Sequence, residues 1–157
     1  MNPLLRIGAL ALALSLGTSL AVAQSAPAGP APAQVWKYKT KRLGNAEIDA
    51  LLAKPVGLLV LDLRRPDELI KYGSFPVFLS VQAKDLEGHL AYLPKDRSIL
   101  TVSNHAGRAG AAGDLLTARG FTVAGAAGSE DYEKAGGLAV VHIQPPAPVV
   151  AAASAPR

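Results

Sequence analysis

The sequence predicts an α/β fold, in which a mostly parallel β-sheet is covered by helices on both faces. Two apolar runs, residues 57–63 (GLLVLDL) and 98–102 (SILTV), have the near-continuous hydrophobicity of strands that are buried on both faces. Segments with helical periodicity lie between and after these runs. Repeated strand–helix units joined by right-handed connections produce such a sheet.

The first half of the predicted domain contains two helices and two strands. Residues 35–40 form an N-terminal strand, and Asn45 caps a helix that continues through residue 52 with its apolar residues on one face. The buried strand over 57–63 follows. Pro66 opens the next helix, because a residue in the first helical turn needs no N–H group.

The second half continues the alternation of strands and helices. Gly120 is expected to end a helix that is rich in small residues, since glycine is the usual residue just beyond a helix C-terminus. The predicted elements are a strand at 79–81, a helix at 83–93, a strand at 98–102, a helix at 107–119, a strand at 121–124 and a helix at 129–134.

Residues 1–23 have the three-part layout of a signal peptide. A short start with Arg6 precedes an apolar run over 7–16, and residues 21–23 (AVA) give the small-x-small pattern that precedes cleavage. We expect cleavage before Gln24, which places the protein in the periplasm or outside the cell without a membrane span. An uncleaved anchor is disfavoured because polar residues and glycine interrupt the run, and a spanning helix needs about 20 apolar residues.

Two segments rich in proline and alanine flank the predicted domain. They cover residues 24–34 and 144–157, and we expect neither to pack, because proline removes backbone donors and alanine buries little surface. The folded domain is therefore expected over residues 35–143.

The composition excludes several functions. The sequence has no cysteine, which rules out disulfides, thiolate zinc sites and a cysteine nucleophile. The net charge is +4, with basic residues clustered at Lys37, Lys39, Lys41 and Arg42. No nucleic-acid motif accompanies this cluster, so we interpret it as a solvated edge and expect no nucleic-acid partner. We expect no cofactor.

The turn after residues 98–102 is the candidate site. In open α/β sheets a ligand binds beyond the carboxyl ends of the strands. A short loop that leads into a helix directs several backbone N–H groups at one point, which forms an anion cradle. The loop consists of Ser103, Asn104, His105, Ala106, Gly107 and Arg108.

With this loop included, six segments in order resemble the rhodanese-like domain family. The resemblance covers roughly residues 45–140. The segments are LDLRRPDE at 61–68, GSFP at 73–76, LPKDR at 93–97, the 103–108 loop, ARGF at 118–121 and YEKAG at 132–136. The resemblance implies a five-stranded, mostly parallel sheet flanked by helices, and a loop that carries sulfur on a cysteine.

Ser103 stands at the position of the family's cysteine. A thiolate attacks a sulfur donor because it is ionised near neutral pH and polarisable, and a serine hydroxyl is neither. Ala106 and Ala109 stand where the resemblance implies glycine and serine, and Ser74 where it implies histidine. The sequence thus predicts a rhodanese-like domain without a working nucleophile.

The resemblance also implies roles for three charged residues. Arg108 shapes the loop, and Asp62 and Arg64 are supporting residues near it. Neutralisation of a bound anion is the alternative role for Arg108.

Three classes of function remain open from the sequence. The preferred one is a non-catalytic module in the periplasm that binds a protein or has a structural role. The second is a binder of sulfate, thiosulfate or phosphate through the 103–108 loop. The third is a hydrolase in which Ser103 is the nucleophile and His105 its base, which would also need an orienting third group. No metal site is expected, since His89, His105 and His142 lie on distant segments.

Overall fold

The structure, a computed structural model, describes residues 35–142 and residue 144. The predicted signal segment, the flanking segment over residues 24–34, residue 143 and all of the second flanking segment except residue 144 lie outside the described residues. The helices are α1 (Asn45–Leu52), α2 (Pro66–Tyr72), α3 (Leu86–His89), α4 (Gly107–Ala118) and α5 (Ser129–Lys134). The strands are β1 (Leu58–Asp62), β2 (Phe78–Ser80), β3 (Ser98–Ser103) and β4 (Thr122–Gly128).

The four strands form one parallel sheet in the order β2-β1-β3-β4. The parallel α/β architecture predicted from the apolar runs is therefore confirmed. The two runs became the central strands β1 and β3, which pair along their length from Leu58 with Ser98 to Asp62 with Val102. All four carboxyl ends lie at one edge of the sheet, and the 103–108 loop leaves that edge.

Helices cover both faces of the sheet, because alternate strand residues point in opposite directions. On one face Leu61, Ile99 and Ala126 pack with α3 and α4. On the other face Val60 and Leu100 lie in a second cluster with residues of α1 and α5. Both faces of the sheet are thus covered, as the apolar runs predicted.

The expectation of five strands is wrong, since the described residues form a sheet of four. The predicted strand over residues 35–40 is absent because its backbone has other partners. The amides of Lys39 and Thr40 donate to the Asp114 carboxylate at 3.1 and 2.7 Å. The chain then meets β4 only at an isolated bridge between Arg42 and Ala126.

The predicted helix over residues 83–93 is broken into three short pieces. Two 3₁₀ turns, Ala83–Asp85 and Leu90–Tyr92, flank the single α-helical turn of α3. Gly88 lies within that turn, and glycine disfavours a continuous helix. The apolar stripe nevertheless points inward, with Leu86 and Leu93 buried.

None of the helices among the described residues is both long and apolar enough to span a bilayer.

Candidate functional site

The 103–108 loop connects the end of β3 to the first turn of α4. Ala106 is fully buried and has a φ of 61°, a left-handed conformation that alanine rarely adopts. β4 approaches this turn closely, because a Cβ atom at Gly128 would lie 2.9 Å from the Ala106 nitrogen. Gly128 has no side chain, and the turn can therefore pack directly against the sheet.

Ser103 is buried at the foot of the loop, with 1% of its surface exposed. Its Oγ accepts a hydrogen bond from the Ala109 amide at 3.2 Å. The hydroxyl therefore satisfies a backbone donor in the first turn of α4. This is the role of a structural serine, and it leaves the oxygen poorly placed for attack on a substrate.

A fully buried ion pair lies beneath the loop, on its β1 side. Arg64 Nε and Nη2 donate to the two carboxylate oxygens of Asp62 at 2.9 and 2.7 Å. Both side chains are completely buried. Ser74 Oγ also donates to Asp62 at 2.5 Å, and Arg64 Nη2 donates to the Gly73 carbonyl at 2.6 Å. These hydrogen bonds compensate the two charges for their loss of water.

Asn104 connects this buried pair to a second ion pair. Its Oδ1 accepts from Arg64 Nη1 at 3.0 Å, and its Nδ2 donates to Glu68 Oε1 at 3.0 Å. Glu68 in turn receives two hydrogen bonds from the Arg108 guanidinium, at 2.6 and 2.8 Å. The Arg108 hydrogen bonds, which outweigh the opposite effect of burial, lower the pKa of Glu68 to about 2. Glu68 therefore stays ionised and holds Arg108 against α2.

The other side of the loop contacts α5 through exposed groups. His105 Nδ1 lies 2.9 Å from Asp131 Oδ1, and Arg42 Nη2 donates to Asp131 Oδ2 at 2.8 Å. The Glu130 amide also donates to the Asn104 carbonyl at 3.1 Å. The side chains of His105 and Arg42 are 56% and 44% exposed, and solvent screens this group of charges.

The structure brings together the residues that the sequence placed at the site. Asp62 and Arg64 lie under the loop, and the Arg108 guanidinium contacts Glu68. The supporting role of the first two residues and the loop-shaping role of Arg108 stay predictions. Whether the loop binds an anion stays a prediction. Sequence reasoning did not assign a role at the site to Ser74, Glu68, Gly128 or Asp131. Glu68 and Asp131 did carry a signal, since each is an acidic residue in the first turn of a helix.

The contacts of His105 agree only in part with the hypothesis that Ser103 is the nucleophile of a hydrolase. His105 does have an orienting carboxylate in Asp131, which the sequence did not indicate. Its Nε2, however, lies 3.8 Å from a Glu130 oxygen, and no hydrogen bond joins His105 to Ser103 among the described residues. The three residues therefore do not form a nucleophile–base–carboxylate chain.

The backbone amides of His105, Ala106 and Arg108 have no hydrogen-bond acceptor among the described residues, whereas the Gly107 amide donates to the His105 carbonyl and the Ala109 amide to Ser103 Oγ. Such donors at the start of a helix are the groups that an oxyanion would contact.

No protein-family model matches the chain, and no curated protein matches it. Solved structures do match. A rhodanese-related protein from Thermoplasma volcanium is 24% identical over 62% of this chain and 95% of its own, with a TM-score of 0.53. A rhodanese-like domain protein from Staphylococcus aureus is 16% identical over 66% of this chain and 99% of its own, with a TM-score of 0.56.

The chain has a rhodanese-like fold. A third match is a Rhodopseudomonas palustris protein of unknown function, described as a possible tyrosine phosphatase. It is 20% identical over 64% of this chain and 84% of its own, with a TM-score of 0.54. At these identities the matches concern the fold. Within this rhodanese-like fold, the sequence has no cysteine at Ser103 or elsewhere.

Proposed function

We propose that this chain is a non-catalytic rhodanese-like module that binds a protein partner or has a structural role in the periplasm. The observation that carries the proposal is the state of Ser103. It occupies the end of β3, where the resemblance implies the sulfur-carrying residue, and it is buried and hydrogen-bonded to the Ala109 amide. The periplasmic location rests on the signal-like sequence of residues 1–23.

The chemistry of oxygen supports the absence of sulfur transfer. A sulfurtransferase needs a group that ionises near neutral pH and then forms a sulfur–sulfur bond that is easily broken. The Ser103 hydroxyl does not ionise in this range. With no cysteine in the sequence, no neighbouring thiol replaces it.

The side chains around the loop support a binding or structural role. The three arginines near the loop all form ion pairs within the chain: Arg64 with Asp62, Arg108 with Glu68, and Arg42 with Asp131. Each cation is thus neutralised by a carboxylate of the chain itself. A site prepared for an anionic substrate would keep at least one of these cations free.

The second candidate is an oxyanion binder, and the three unpaired amides of His105, Ala106 and Arg108 favour it. Sulfate, thiosulfate or phosphate would accept from these backbone donors without a charged side chain. This function requires that the loop keep the shape in which the family holds a sulfur atom. The same experiment therefore tests both candidates.

The experiment compares thiosulfate-to-cyanide sulfur transfer by the wild type, Ser103→Cys and Ser80→Cys. Ser80 is an exposed residue at the end of β2, at the same edge of the sheet, so its variant adds a thiol outside the loop. We expect the wild type and Ser80→Cys to be inactive. Activity of the wild type would refute the non-catalytic proposal.

The Ser103→Cys variant decides between the two candidates. Turnover by this variant alone would show that the loop still stabilises a sulfur anion, which favours the oxyanion binder. An inactive variant whose thermal unfolding midpoint matches that of the wild type would show that the loop has lost that shape. The protein-binding or structural role would then be the better account.

A further inference from the structure

The N-terminal strap, residues 35–43, has two chemically different sides. Trp36, Tyr38 and Thr40 are turned toward the domain, whereas Lys37, Lys39 and Lys41 are exposed. This alternation separates an anchoring side from a cationic side. Three of the four basic residues in the sequence cluster therefore form a row of lysines on the outer surface of one segment, and the fourth, Arg42, pairs with Asp131.

The anchoring side fixes the strap on α4. A Cβ atom at Gly110 would lie 2.5–2.8 Å from ring atoms of Tyr38 and Trp36, and one at Gly113 would lie 2.5 Å from Thr40 Oγ1. The two glycines thus form a groove into which the strap fits. Because the anchoring side is fixed, the lysines are held together on one outer surface of the domain.

The lysine row is only partly neutralised. Lys41 pairs with Glu47, but both side chains are largely exposed, and the pairing is weak in water. Lys37 lies 5.6 Å from the centre of the Tyr38 ring. Lys39 makes no ion pair with any described residue. Positive charge therefore remains available to an external anion.

A cavity of about 350 Å³ opens beside the same lysines. Lys39 and Lys41 line it from the strap, Thr117 from the end of α4, and Val123 from the start of β4. Asp114 also lines the cavity, but its two oxygens accept hydrogen bonds from Lys39 and Thr40 of the strap. The cavity thus combines two lysines, the Asp114 carboxylate, a threonine hydroxyl group and an apolar wall.

We propose that the lysine row and its cavity form a docking surface for a membrane that contains anionic phospholipids. The ammonium groups would face the negatively charged surface, and the cavity would receive a headgroup with its phosphate near Lys39. Clusters of lysine and arginine attract anionic bilayers in this way, and the attraction is weakened by salt. The binding is peripheral, and it goes beyond the proposed function of the loop.

The test measures co-sedimentation of the full chain with vesicles. One set contains phosphatidylglycerol and phosphatidylcholine in equal parts, and the other contains phosphatidylcholine alone. Binding to the neutral vesicles is subtracted, so that only the binding that depends on anionic lipid is compared. The variants are Lys37→Gln/Lys39→Gln/Lys41→Gln and the control Lys54→Gln/Lys84→Gln/Lys95→Gln, which removes the same charge elsewhere.

We expect the strap variant to lose the phosphatidylglycerol-dependent binding several-fold, and the control to keep it within about twofold of the wild type. High salt should abolish it in the wild type. Equal losses in both variants would overturn the proposal, as would the absence of any dependence on phosphatidylglycerol. Binding to soluble polyphosphate without binding to the vesicles would also overturn it.

Discussion

The two sides of the 103–108 loop are held by different kinds of ion pair. On the side of β1 and α2, the pair of Asp62 and Arg64 is fully buried, and Glu68 is nearly so. On the side of α5, the half-exposed His105 and Arg42 share Asp131, which is one-third exposed. The number of charged contacts on the two sides is similar, but their exposure to solvent differs.

This difference shows that burial, more than the presence of a contact, decides what a charged pair contributes. A buried charge that loses its partner has no water to replace it. An exposed charge in the same situation is hydrated at once. We therefore expect the contacts with β1 and α2 to contribute most of the stability of the loop, and the contacts with α5 to contribute little.

The largest effect is expected for Arg64→Ala. The change leaves the Asp62 carboxylate buried with only Ser74 and backbone groups near it, and should lower the free energy of unfolding by about 3–5 kcal/mol. Urea unfolding followed by circular dichroism measures this. The control is Arg65→Ala, at the neighbouring exposed arginine that pairs with Asp67, for which we expect a loss below about 1 kcal/mol. Equal losses at both positions would contradict the comparison.

An intermediate effect is expected for Glu68→Gln, with a characteristic pH dependence. At neutral pH the variant should lose about 1.5–3 kcal/mol of unfolding free energy, because Arg108 loses its carboxylate partner and can hydrogen-bond only to a neutral amide oxygen. The pKa of Glu68 is lowered from 4.5 to about 2 in the folded protein. Its contribution is therefore complete above pH 4.5 and disappears as the pH falls toward 2.

The measurement is the difference in urea unfolding free energy between the wild type and Glu68→Gln, from pH 7 down to acid. Other carboxylates titrate in both proteins and largely cancel. A difference that stays constant through this range would show that the Glu68 charge does not hold Arg108.

The smallest effect is expected for Asp131→Asn. It removes the charge shared by His105 and Arg42, and should lower the free energy of unfolding by less than about 1 kcal/mol. The same urea experiment applies. A loss as large as that of Arg64→Ala would mean that the α5 side fixes the loop, which would reverse the comparison.

The elements of the fold could be predicted where the signal was local. The central strands followed from apolar runs, the start of α2 from Pro66, and the end of α4 from Gly120, which has a φ of 78°. β4 was predicted to end at residue 124 and continues to Gly128. Alanine and glycine give little strand signal, and here the pairing with β3 decides the conformation.

The position of the site could be predicted, but the contacts that shape it could not. Ser74 reaches Asp62 from 12 residues away, and Arg108 reaches Glu68 from 40 residues away. Such pairs depend on how the chain folds back, and nothing in the local sequence specifies them. The same holds for the strap, in which the Lys39 and Thr40 amides donate to the Asp114 carboxylate and not to a neighbouring strand.

Trp36 is the only tryptophan of the chain, and it lies in the strap against Gly110. Its indole Nε1 donates to the Thr40 carbonyl at 2.9 Å, and its ring meets Tyr38 edge to face. The emission of an indole shifts to longer wavelength when water replaces such packing. The protein therefore contains its own fluorophore, and the emission wavelength of Trp36 reports whether the strap is packed on α4 without an added label.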